Sequence, residues 1–132
     1  MPHLIVEYSA NLADEIAIPD LLRTLHTAAL TCPTMDQKAL RTRGERREDI
    51  IIADGNPDHL FAMVTARILA GRLDDLKQTI ADTLFAALQE ALSGIGPERG
   101  LALAVDIVEI APETFRKNHN LDTIASVGQA AQ

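Results

Sequence analysis

Two successive runs of apolar strand, amphipathic helix and second strand predict an α/β protein in which two βαβ units form one sheet with two helices on one face. Three observations carry this prediction. The halves, at about residues 1–57 and 58–112, share one order of elements, and no Gly- or Ser-rich linker separates them. At 132 residues the chain has the length of a single domain, here placed at residues 1–125. Strands joined by helical crossovers run parallel and put their helices on the same side of the sheet. The opposite face is therefore expected to be apolar and uncovered, which predicts an oligomer.

The elements follow in order. Leu4 to Tyr8 is a short apolar strand interrupted by Glu7. Asp14 to Ala17 reads as a turn, and Pro19-Asp20 suits the opening of a helix because proline lacks only an N–H that the first turn does not use. Leu21, Leu22, Leu25, Ala28 and Ala29 share one helical face, and Cys32-Pro33 ends it. The return strand is expected within Leu40 to Ala53, finishing in Ile50-Ile51-Ile52, before the turn Asp54-Gly55-Asn56-Pro57. In the second half, His59 to Leu69 is a strand broken at Gly71. Asp74 and Asp75 mark a helix start, and Leu76, Ile80, Leu84, Leu88 and Leu92 recur every four residues. Gly94 and Gly96-Pro97 close that helix. Leu101 to Ile110 is apolar in both alternating sets and is expected to be buried on both sides. Glu113 to Gln132 is a polar tail that would lie over a neighbouring subunit or be disordered, with disorder expected for 126–132.

Composition removes several function classes. A net charge of -7 and the absence of Trp argue against nucleic acid and anionic membranes as partners. No stretch has the length of a membrane span or the plan of a signal peptide, so a cytoplasmic protein is expected. Cys32 is the only cysteine, which excludes an internal disulfide. His3, His26, His59 and His119 lack metal-ligand spacing, and no metal is expected.

The chemistry concentrates at two places. Met1-Pro2 heads an apolar strand, and loss of Met1 would turn the Pro2 nitrogen from an amide into a secondary amine, a base. Burial and neighbouring cations would lower its pKa towards neutrality. Proline is also simply tolerated ahead of an edge strand. Five of the twelve Lys and Arg (Lys38, Arg41, Arg43, Arg46 and Arg47) lie within ten residues. On a strand Arg41 and Arg43 project to one face, where they could grip carboxylates, whereas Arg46 and Arg47 are read as offsetting Glu45, Glu48 and Asp49. Arg72 follows Ala70-Gly71 at a strand-to-helix junction suited to an anion. Arg67, inside an apolar strand, is read as an ion-pair partner at an interface, with a ligand role open.

Met1-Pro2-His3 with Ile5-Val6-Glu7, Arg41-x-Arg43, Ala53-Asp54-Gly55, Ala70-Gly71-Arg72 and Phe115-x-Lys117-Asn118 together resemble the 5-carboxymethyl-2-hydroxymuconate isomerases of the tautomerase superfamily. The resemblance implies a tautomerase-like homotrimer that ketonises a dienol polycarboxylate in aromatic-acid catabolism without any metal or organic cofactor. It implies Pro2 as general base and Arg41, Arg43 and Arg72 as substrate-binding residues. Two departures stand out, the high charge of Gly44 to Arg47 and the longer tail after Asn120. A sister enzyme acting on another enol acid, or a non-enzymatic trimer serving as a binding or structural module, are the alternative readings.

Overall fold

The computed structural model describes residues 1–124; the expectations for residue 125 and for 126–132 fall outside the described residues. Strand β1 (His3–Ser9) leads through a short 3-10 turn (Ala10–Asp14) to helix α1 (Ile18–Leu30) and strand β2 (Arg41–Arg47). Strand β3 (Leu60–Leu69), helix α2 (Asp74–Ala91) and strand β4 (Leu101–Ile110) repeat the plan, followed by a 3-10 turn at Pro112–Thr114. Both helices open with acidic residues in the first turn, Asp20 in α1 and Asp74 and Asp75 in α2, where the helix dipole favours negative charge. Neither helix is long and apolar enough to cross a membrane.

The strands form one sheet in the order β2-β1-β3-β4. Within each half the strands are parallel, and the halves meet through an antiparallel β1–β3 pair. Register then selects the core. Leu4, Val6 and Tyr8 stand opposite Ala66, Val64 and Ala62, so these side chains leave the sheet on the same face. On that face they pack with Leu21, Leu25 and Ala29 of α1 and Ile80, Leu84 and Leu88 of α2 in one buried cluster. β2 adds no side chain to that buried cluster. Its Gly44 lets α1 and Tyr8 close in, since a Cβ at this position would stand 3.3 Å from Tyr8 Cε1 and 3.7 Å from Leu22 Cδ1.

Three expectations are corrected. β2 ends at Arg47, and Ile50-Ile51-Ile52 lies outside it with Ile51 86% exposed. The reason is the partner strand: Arg47 pairs with Ser9, the last residue of β1, after which the chain turns and offers no further ladder. β4 is an edge strand with β3 as its one neighbour, so Ala102, Asp106, Val108 and Glu109 are exposed rather than buried. The open face of the sheet is also not uniformly apolar. Phe61, Met63, Ala102, Ala104 and Val108 make it apolar towards β4, but Arg41, Arg43, Glu45 and Arg47 make the β2 side charged.

Leu84 is fully buried between α2 and the sheet, so Leu84→Ala should lower unfolding free energy by about 2–5 kcal/mol, measured by denaturant titration. A change below about 1 kcal/mol would contradict the packing described.

Candidate active site

β1 and β2 begin at one end of the sheet, and β3, running against β1, finishes there. The β1–β2 ladder extends one step outward, with the Arg41 N–H donating to the Pro2 carbonyl at 3.1 Å. Pro2 is buried, and at the head of a strand its missing N–H removes no ladder bond. Register sets Arg41, His3 and Arg67 in one row across β2, β1 and β3 on the open face, with Arg43 two residues further along β2. Arg72 arrives by another route. Gly71, at φ 119°, turns the chain out of β3 through a conformation that side chains rarely adopt. Arg72 then donates from Nε to Thr34 Oγ1 at 2.8 Å, from Nη1 to the Leu69 carbonyl at 3.2 Å and from Nη2 to the Thr34 carbonyl at 3.3 Å. These bonds hold it between the end of β3 and the loop that follows α1.

The amine at this end belongs to Met1, so the Pro2 nitrogen is an amide and the amine stands one residue beyond it. Burial lowers the pKa of that amine most. The positive charge of Lys117 comes next, followed by Arg72 and Arg41. Arg41 and Arg72 are thus brought together around the chain terminus. Arg43 is placed differently, donating from Nη1 to His3 Nδ1 at 3.0 Å. A guanidinium can only donate, so His3 Nδ1 accepts and the imidazole is neutral with its proton on Nε2. Burial first, then Arg43, Arg67, the terminal amine and Arg41, hold the His3 pKa below its ordinary value.

Carboxylate partners are missing where these cations gather. Among the described residues Arg41, Arg43, Arg67, Arg72 and Lys117 have no carboxylate within ion-pair distance. Arg46 pairs with Glu48 at 2.6 Å, and Arg47 bridges Glu7 and Glu45 at 2.6 Å each. Elsewhere Arg23 pairs with Asp20 and Lys77 with Asp74 and Glu109. A chain of net charge -7 therefore collects uncompensated positive charge around its amine. An anion entering here would find donors already fixed in place. Among the described residues no group of three His, Cys, Asp or Glu side chains is arranged to hold a metal ion.

The start of the tail stays on its own chain: Phe115 returns to the amino terminus and meets the His3 ring edge-on, with centroids 6.2 Å apart and planes at 85°. Lys117 follows two residues later, and its charge acts on the amine. Sequence reading did not select Lys117 or His3 as site residues; the signal that pointed to both was their presence in the matched segments Met1-Pro2-His3 and Phe115-x-Lys117-Asn118.

The family model of 5-carboxymethyl-2-hydroxymuconate isomerase matches residues 2–124. The chain is 27% identical to the 5-carboxymethyl-2-hydroxymuconate Delta-isomerase of Escherichia coli over 124 residues, spanning 94% of this chain and 98% of that protein. It superimposes on the crystal structure of a 5-carboxymethyl-2-hydroxymuconate isomerase from Deinococcus radiodurans R1 with a TM-score of 0.85 and 31% identity, over 92% of each chain. A fused 4-OT protein described as a wild-type symmetric trimer shares the fold, at a TM-score of 0.67 and 19% identity, over 98% of this chain and 99% of that one.

The cations facing His3 yield a test within this site. Arg43→Ala removes both a positive charge and the bond to Nδ1, so the His3 pKa should rise towards the ordinary histidine value. NMR titration of the imidazole measures it, and an unmoved or lower pKa would contradict the arrangement.

Proposed function

The chain belongs to the 5-carboxymethyl-2-hydroxymuconate isomerase family, and from that premise we propose that it ketonises a dienol polycarboxylate such as 5-carboxymethyl-2-hydroxymuconate with Pro2 as the base. The family is one of isomerases, and the reaction is a redistribution of one proton. The 2-hydroxyl gives up its proton, its oxygen becomes a ketone, the double bonds shift along the chain, and a distant carbon takes a proton. Electrons and atoms balance within the substrate, so no cofactor enters.

The observation that carries the reading is the convergence of unneutralised cations on the chain's amine. Removal of Met1 would make the Pro2 nitrogen, one residue further in at the same end of the sheet, the chain's amine. A secondary amine alone is too basic to be free at neutral pH, but partial burial and nearby positive charge favour its unprotonated form. It can then accept the hydroxyl proton and deliver it to carbon. The same cations suit the substrate. Arg41 and Arg72, with Arg43 next, would hold its carboxylates, each charged hydrogen bond contributing about 1.5–3 kcal/mol. A cation beside the developing dienolate would also lower the barrier, because negative charge spreads over the substrate as the proton leaves.

The assembly belongs to the same proposal. Phe61, Met63, Ala102, Ala104 and Val108 leave an apolar area on the open face that a second copy would cover, and a trimer of single-domain chains, about residues 1–125, fits the description of the fused 4-OT relative. A polycarboxylate-metabolising enzyme of this kind would work in the cytoplasm, without nucleic acid or membrane as partner.

Variants at the base and at the cations should separate their roles. Arg41→Ala and Arg72→Ala should each lower kcat/KM for ketonisation by roughly tenfold to a hundredfold, the effect of one lost charged hydrogen bond. The acid limb of each profile should also move to higher pH, since an amine with fewer cations around it keeps its proton longer. Pro2→Ala retains a terminal amine, primary and freer to rotate, and should lower kcat with KM little changed. Wild-type rates and unmoved profiles in both arginine variants would contradict the reading.

A further inference from the structure

We infer that Lys117 is a further substrate-binding residue of this site, delivered to the chain terminus by the anchoring of Phe115 on His3. The inference rests on the isomerase reading above and extends it to the tail. Beyond the 3-10 turn the tail is exposed at nearly every position as far as Asn118, and Phe115 is the half-buried exception. Its ring, edge-on to His3, fixes the backbone at the amino-terminal end of β1. Phe115 itself is extended, at φ -102° and ψ 128°, and two extended residues span roughly 7 Å. That distance, with a four-carbon side chain, puts the Lys117 ammonium within reach of the amine, on which its charge acts.

Hydrogen bonding distinguishes Lys117 from its neighbours. Arg41 spends donors on the Lys38 and Leu40 carbonyls, and Arg72 spends its own on Leu69 and Thr34. Among the described residues Lys117 has no carboxylate and no carbonyl partner, so its donors remain available to an anion, while its charge acts on the amine. An ammonium is a compact charge on a flexible stem and can stay with a carboxylate as the substrate rehybridises, which a braced guanidinium cannot do as freely. The groups facing the amine are then His3 from β1, Arg41 from β2, Arg72 from the turn after β3 and Lys117 from the tail. Lys117 acts on the amine ahead of either arginine, which fits its proximity. Phe115 is a positioning residue, since it acts on the site through Lys117.

The test uses the full chain with Met1 loss verified by mass and the proline nitrogens labelled with 15N. In Lys117→Met, which keeps the apolar stem, the Pro2 amine should titrate at higher pH than in wild type, and KM for the dienol acid should rise by roughly tenfold or more. Lys117→Arg should restore the titration and much of KM. Phe115→Leu should move the amine in the same direction, and should have no further effect when Lys117 is already Met. Lys117 is exposed, so loss of folding does not confound these variants. A Lys117→Met protein with wild-type titration and KM overturns the inference, whereas a wild-type protein that fails to ketonise overturns the isomerase reading. In that second case the NMR titration still decides whether Lys117 stands at the amine, and an unmoved titration overturns its placement.

Discussion

β1 lies between two strands of opposite direction, and the arrangement of the candidate site depends on that constraint. Because β2 runs parallel to β1, both begin at one end of the sheet; because β3 runs against β1, it finishes at that end. Residues distant in sequence are thereby obliged to meet: Pro2 at the head of β1, Arg41 at the head of β2 and Arg72 just past β3. The pairing in turn depends on the core face, where Val6 opposite Val64 and Leu4 opposite Ala66 are all fully buried. A slip of one residue in β1 would turn Leu4 and Val6 away from the helices and the terminus away from the arginines. Hydrophobic register and placement of Pro2 are thus one requirement.

Electrostatics works on that placement from two sides. Burial alone would penalise a charged amine, and the surrounding cations add to the penalty with the same sign. The cations are costly company for one another, and among the described residues no carboxylate lies within ion-pair distance of them. Arg46 and Arg47, a few residues along the same strand, are matched by Glu48, Glu7 and Glu45. Positive charge left unpaired next to positive charge is unfavourable for folding but suits a site that receives an anion with several carboxylates. His3 fits the same pattern. It stays neutral within a row of arginines, serving as acceptor to Arg43 and as a seat for Phe115.

Much of this was legible in the residues because local chemistry and the fold agree. The four-residue repeat from Leu76 to Leu92 and the acids at Asp74 and Asp75 mark α2, observed at Asp74–Ala91, and Leu101 to Ile110 is a strand over that same range. What was not legible depends on partners in space. Ile50-Ile51-Ile52 has the composition of a strand, but β1 runs out at Ser9 and leaves it without a ladder. β4 reads as a buried strand by its apolar runs, yet strand order makes it an edge. Arg41 and Arg43 share a face, as their spacing predicts, but spacing does not tell that Arg41 acts on the amine while Arg43 binds His3. The return of the tail was invisible for a related reason, since nothing local to Phe115 indicates that its contact is a histidine more than a hundred residues earlier.

The central claim is that the base is the nitrogen of Pro2 and works only as an amine. The most direct measurement compares ketonisation rates of two preparations of the same chain, one freed of Met1 and one retaining it, with intact mass establishing the state of each. An amide nitrogen has no available lone pair, and the Met1 amine stands one residue out of place. The Met1-free protein should therefore turn over the dienol acid while the Met1-retaining protein falls to a small residual rate. Equal rates in the two preparations would contradict the account.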